Sequence, residues 1–281
     1  TGAITFNSTT AQTITTNAVT INGAITFNGV GGNWSLGSAL ATGATLTTSL
    51  TNGTLTLNGF DLTTGVFSSN NTNTRSIAFG SNNIVLSHTT AATVVLSMAT
   101  LTGFTYTGTG GFSVAAMSNT RTFTCGTTGG TSSNAPNLTF TTGASVATIT
   151  TAGFFNKLDY GTTSFTQAAS TLNVNSITLS STGTYTALIL NLRASGTVTY
   201  NGKTTAAVTL LDGSPTIADT VSCTTFTVNG PSFNFTSGTI NPSTSFVVTS
   251  GGFTLNGGTL GAVPTFTHTA GTVQFNTSYA L

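Results

Sequence analysis

Apolar residues alternate with Thr, Ser and Asn in short runs along most of the chain, and from Pro231 to Phe275 the alternation repeats at a step of 20. Aligning 231–250 with 251–270 places Phe226, Phe246 and Phe266 in one column, and Val228 and Val248 in a second. Phe233, Phe253 and Val273 make a third, Phe235, Leu255 and Phe275 a fourth, and Ile240 and Leu260 a fifth, all without a gap. Period-2 alternation is the mark of a half-buried strand, and runs this short, separated by Gly, Asn and Pro, leave no room for a helix. Three such strands in each repeat form a coil that cannot bury its apolar face alone, so the coils must stack. Stacking turns the Phe column into an internal pile of rings and the polar column into an outer ladder.

The same signature opens the chain. Gly2-Ala3-Ile4-Thr5-Phe6-Asn7 recurs as Gly23-Ala24-Ile25-Thr26-Phe27-Asn28, a step of 21. An apolar residue followed by Asn-Gly appears at Ile21, Phe27, Leu57, Tyr200, Val228 and Leu255, marking corners, because Asn and Gly tolerate positive φ. A further match, Asn73-Thr74-Arg75-Ser76 with Asn119-Thr120-Arg121-Thr122, has a step of 46 and predicts two coils of about 23 residues each. From Thr186 onward the 20-residue step predicts one column of Leu188, Val208, Val228 and Val248, and another of Leu190 and Leu210.

The expected fold is therefore all-β, a single-chain parallel β-helix (β-solenoid) with about 20–23 residues and three short strands per coil. It divides into irregular coils over 1–125, a loop excursion at 126–136 rich in Gly, Thr, Ser and Asn, and coils over 137–281 that become regular at a step of 20. That length supplies roughly 14 coils and a rod about 65 Å long. An interwound three-chain helix would also show columns, but three strand–turn units within one repeat fit a single chain closing its own coil. Repeat-like sequence begins at Thr1 and no cap pattern stands at either end, which predicts that the coils continue beyond both.

Composition adds a constraint on the surface. Charged residues are 3% of the 281, against about a quarter in ordinary domains. They are Arg75, Arg121, Lys157, Arg193, Lys203, Asp61, Asp159, Asp212 and Asp219, so the exterior must be hydroxyl and amide. A net charge of +1 supplies no basic stripe for nucleic acid, and no apolar run reaches the roughly 18 residues of a membrane helix. Cys125 and Cys223 are separated by about five coils, roughly 24 Å along a stack, beyond the roughly 7 Å a disulfide spans.

Few residues are left for chemistry. Arg75 and Arg121 share parity with inward Ile77 and Phe123 and cannot enter a core unpaired; they fit corners where they donate to turn carbonyls, or, alternatively, a ligand-facing pair for an acidic sugar. Asp212 and Asp219 are the nearest carboxylates, but Asp212-Gly213-Ser214-Pro215 reads as a turn, and glycan cleavage needs two carboxylates on one face. His88 and His268 have no second ligand at metal spacing, so neither metal nor cofactor is expected. Trp34, between Asn33 and Ser35, is either core packing or a sugar-stacking platform.

Leu57-Asn58-Gly59-Phe60-Asp61-Leu62-Thr63 with Phe67-Ser68-Ser69-Asn70, together with the Asn-Thr-Arg-Ser/Thr repeats, resembles the Thr/Asn-rich β-helical fibre or spike-like virion proteins of tailed bacteriophages. The resemblance covers residues 50–145 and elsewhere is one of style. It implies a non-catalytic rod on a virion or extracellular surface, self-associating as a homotrimer or filament or bound to other virion proteins, with a host-surface glycan as candidate ligand. The chain departs from glycan-cleaving spikes of that group in lacking clustered carboxylates. Bacterial adhesins and autotransporter passengers share the composition and stand as the alternative; a polysaccharide-degrading β-helix enzyme is the second.

Overall fold

The computed structural model describes residues 2–90, 93–115, 120–141, 145–162, 164–185 and 187–276. Among them every regular element is a β-strand and the strand pairings are parallel, forming a β-solenoid of about twelve turns. One column can be followed through nearly the whole stack. Thr5 pairs with Thr26, Thr26 with Ser49, Ser49 with Ser68, Ser68 with Ser97, Ser97 with Thr124 and Thr124 with Ala152. One residue further on, Gly153 pairs with Leu172, and the column continues through Leu190, Val208, Phe226, Phe246 and Phe266. Some strands run round a corner without a break, as in Ile25–Leu36, Ser145–Asp159 and Thr239–Ser250.

The observed register corrects the expected coil lengths. The opening step of 21 and the closing steps of 20 hold, but from Ser68 through Ser97 and Thr124 to Ala152 the steps are 29, 27 and 28. Twelve turns rather than fourteen follow, and at strand spacing the rod is roughly 58 Å long. Leu190 sits on Val208, and Leu192 on Leu210 and Val228, so the step is 18 here and the column Leu188–Val208–Val228 does not form. Alternation fixes only parity, and steps of 18 and 20 keep the same residues inward. Nor does the 46-residue match mark two stacked coils: Arg75 lies between Gly53 and Phe104, whereas Arg121 lies between Thr93 and Ile149, in a different column.

Inside, the predicted rings do stack. Phe226 and Phe246 are 5.4 Å apart with planes 7° from parallel, and Phe246 and Phe266 are 5.7 Å apart at 6°. Phe233, Phe235, Phe253, Val228, Val248 and Leu255 are buried, but cover runs out on the last described coil. There Phe266 and Val273 are half-buried and Phe275 is 38% exposed. Mid-stack, some buried polar groups satisfy one another. Tyr160 Oη donates to Gln167 Oε1 at 2.8 Å, Thr151 Oγ1 reaches the same oxygen at 3.0 Å, and Tyr200 Oη pairs with Thr205 Oγ1 at 2.9 Å.

Outside, Thr26, Ser49, Ser68, Ser97 and Thr124 form a half-exposed hydroxyl ladder. Amides tie the corners together. Asn175 Nδ2 donates to Asn156 Oδ1 at 2.9 Å, Asn156 Nδ2 to Asn137 Oδ1 at 2.8 Å, and Asn137 Nδ2 to the Thr109 carbonyl at 3.0 Å. At two of the predicted Asn-Gly corners, Asn58 and Asn201 adopt φ of 52° and 50°, and their amides donate to the Leu36 and Leu179 carbonyls of the preceding coil.

The burial gradient along the ring stack predicts that Phe246→Ala lowers unfolding free energy by about 3–5 kcal/mol and Phe275→Ala by less than about 1.5 kcal/mol. Denaturant titration of the two variants checks this, and equal losses would contradict it. A second expectation concerns alkali. Burial pushes the Cys223 thiol up to about 12, and raises the Cys125 thiol and the Tyr160, Tyr185 and Tyr200 phenols well above their ordinary values. Unfolded, these groups ionise near 8.5 for Cys and about 10 for Tyr. Their raised folded values contribute fully below that range, and stability falls as pH climbs from about 8.5 towards 12, where the unfolded chain loses protons the folded one retains. The denaturant midpoint is expected to be level between pH 7 and 8 and to drop steadily by about pH 10.5; a flat profile would rule the buried groups out as the cause.

Candidate functional site

Arg75 begins the strand Arg75–Gly80, at the step where the coil lengthens, and is 1% exposed. Its guanidinium is enclosed by acceptors on both coils it touches. Nε donates to Ser69 Oγ at 2.7 Å, Nη1 to the Asn73 and Thr102 carbonyls at 3.0 and 2.9 Å, and Nη2 to the Ser69 and Thr100 carbonyls at 2.7 and 2.6 Å. The Phe104 ring centroid lies 5.5 Å away, adding a cation–π contact. Burial draws its pKa below the ordinary guanidinium value. Arg121, fully buried, begins the strand Arg121–Thr128 and donates from Nη1 to the Thr120 carbonyl at 2.8 Å and from Nη2 to the His88 carbonyl at 2.9 Å, while its Nε has no partner among the described residues. Desolvation, then the nearby Arg121 charge, lowers the pKa of His88. Both arginines occupy the inside of corners and bind main-chain oxygen, not ligand-facing positions on the surface.

Trp34 is likewise enclosed, with its ring 5.3 Å from Phe27 and its Nε1 unpaired among the described residues. Gly53, at φ 80°, lies so close that a Cβ would fall 2.8 Å from the indole, so this corner needs glycine for two reasons. No face of the indole is presented as a sugar platform.

Each carboxylate is held at its own turn. Asp61 accepts from the Asn83 amide at 2.8 Å, Asp159 from the Gly161 amide at 3.0 Å, and Asp219 from the Tyr200 and Asn201 amides at 2.8 and 2.6 Å. Asp159 also pairs with Lys157 at 3.0 Å, and Asp212 with Arg193 at 3.1 Å. Among the described residues no three His, Cys, Asp or Glu side chains gather as a metal site. Both cysteines are free and buried.

Two surface grooves stand out. The larger, about 740 Å³, runs over the outward row of Asn33, Thr54, Ser76 and Thr105, between the Val30–Gly32 and Thr72–Thr74 corners. Its lining is neutral apart from enclosed Arg75. The second, about 420 Å³, lies under the segment 126–132, where the strand Arg121–Thr128 ends and runs into a turn, and is bordered by Phe154, Asn173, Arg193 and Asp212. Phe154 pairs with outward Asn173 and so points away from the core, yet it is buried because the loop folds over it. Gly126, at φ 62°, makes that approach: a Cβ there would lie 3.1 Å from Phe154 Cβ and 3.0 Å from Leu101 Cδ1.

Composition points to a loop at 126–136 but not to the groove beneath it, and Asp212 reads in the sequence as a simple turn. The signal for the ion pair is the separation of Arg193 and Asp212, 19 residues, close to one coil. Comparison of the chain with protein-family models, with curated proteins and with solved structures finds no match in any of the three.

If the Arg75 fork is what closes its corner, Arg75→Met should cost about 3–5 kcal/mol, because several buried carbonyls lose their donors. Arg75→Lys should remain well below wild type, since an ammonium offers three donors from one point. Denaturant midpoints decide; a Lys variant as stable as wild type would mean that charge alone suffices.

Proposed function

We propose that the chain is a non-catalytic structural rod, a segment of a fibre carried on a virion or extracellular surface. The observation that carries this reading is the engagement of the carboxylates: each of the four acids is committed to its own turn amide or ion pair, and no two of them share a partner as an acid–base pair for glycoside hydrolysis would. A continuous core with polar ladders outside supports a spacer role. Likeness to phage fibre proteins in the Leu57–Asn70 stretch and the Asn-Thr-Arg repeats favours the virion over the adhesin alternative. Hydroxyl and amide ladders carry little charge to desolvate, which suits lateral packing against copies of the same chain or other virion proteins.

Sedimentation and small-angle scattering of the purified chain, with reducing-end assays on a polysaccharide panel, test this together. A rod of three or more chains that releases no sugar ends is expected. A persistent monomer would overturn the self-association, and sugar release abolished by Asp→Asn at any of the four positions would overturn the non-catalytic reading.

A further inference from the structure

On the later coils, the outward residues of one face form a net that repeats in two directions. Ala207 pairs with Thr225 and Thr225 with Ser245; two residues on, Thr209 pairs with Thr227, Thr227 with Val247 and Val247 with Thr267. Thr265, whose carbonyl accepts from the Phe246 amide at 2.9 Å, extends the first column. These positions are at least partly exposed, while Val208, Phe226 and Phe246 between the columns are buried. We propose that this face binds ice, so that its partner is the surface of crystalline water. The inference goes beyond the rod reading and does not depend on it.

Geometry argues first. Strand pairing sets the rungs about 4.8 Å apart along the axis, and alternation sets the two columns about 6.6 Å apart along each strand. An ordinary sheet rotates by about 20–25° from strand to strand, which would fan such a net open within a few rungs. Here the rings lying between the columns stay parallel, Phe226 with Phe246 to 7° and Phe246 with Phe266 to 6°. Each rung is thus close to a plain translation of the one before, and the net is flat. A partner that gains from every rung must itself repeat at these intervals, and the surface oxygens of hexagonal ice repeat at similar intervals in two perpendicular directions.

The chemistry of the net suits the same partner. Ser245 Oγ donates to Thr225 Oγ1 at 3.3 Å, whereas the hydroxyls of Thr209, Thr227 and Thr267 have no protein partner among the described residues. Water is left to satisfy them, and each can give one hydrogen bond and accept two, as a water molecule does in a lattice. The Thr methyls, with Ala207 and Val247, offer the intervening water no hydrogen bond and leave it to bond with its own kind. None of these residues carries a charge that would orient water around itself. A face serving as the interface between copies would be more apolar and poorer in hydroxyls, and the other faces of the coil are left to that packing. The plain competing account is that Thr is simply a good strand former at an exposed position, which predicts no effect on freezing.

The test is microscopy of single ice crystals in a nanolitre osmometer, with ice recrystallisation in frozen sucrose, on the whole chain and on an unrelated protein as blank. Wild type is expected to facet the growing crystal and to arrest recrystallisation at micromolar concentration. Thr227→Lys should raise the concentration required about tenfold or more, while Thr199→Lys, on the strand beyond the next corner, leaves it unchanged and both keep the wild-type denaturant midpoint. Should Thr227→Lys unfold, Thr267→Tyr on the last rung is expected to give the same loss in a folded chain. Crystals that grow and coarsen as in the blank, array variants as active as wild type, or an equal loss in Thr199→Lys would overturn the assignment. Sedimentation separates this from the rod reading: failure to bind ice leaves association between chains intact, and a monomer that binds ice overturns the association alone.

Discussion

In-register parallel pairing between successive coils is the constraint from which the other features follow. A residue that sits inward on one coil lies over an inward residue on the next, about 4.8 Å along the axis. The chain therefore needs like residues in columns, and the Phe226–Phe246–Phe266 stack is the result. Coils of different length are tolerated because the surplus is placed at corners. Between Ser68 and Ser97 the chain takes its longest path around one turn, and the strands on either side remain paired. Arg75 ties that expanded corner together, since its five hydrogen bonds reach oxygens at 69 and 73 on one coil and at 100 and 102 on the next.

Scarcity of charge follows from the same arrangement. Ladders bring identical residues within strand spacing, and a ladder of like charges would repel itself at every rung. Thr, Ser and Asn avoid this, because a hydroxyl or amide can donate to one neighbour and accept from another. The exceptions are informative by position. Buried arginines are neutralised by main-chain oxygen, acids take up turn amides, and one cation–anion pair, Arg193 with Asp212, bridges neighbouring coils at the edge of a groove.

What can be read from the sequence is set by what alternation encodes. It identifies the solenoid, the ring columns of the last coils and the Asn-Gly corners, because each depends on residue type at fixed parity. It does not carry the length of a coil. Steps of 18 and 20 present the same face, so Leu190 stacks on Val208 where a 20-residue step would place Leu210. The Asn-Thr-Arg repeat misleads for a related reason: the motif marks a way of starting a strand with a buried guanidinium, and the chain uses it on two different faces. Phe154 is hidden because its burial comes from the 126–132 segment of the preceding coil, a contact that local pattern does not record.

The corner amides have a sense of direction. Asn175 donates to Asn156, Asn156 to Asn137, and Asn137 to the Thr109 carbonyl; Asn58 and Asn201 likewise donate to the coil before their own. In the parallel ladder, main-chain dipoles alternate and largely cancel, but these side-chain dipoles point the same way and add. The rod thus has an electrical axis that its net charge of +1 does not describe. Each of these corners also brings its amide donors to acceptors supplied by the coil before it, so the polarity of the rod runs with the direction of the chain.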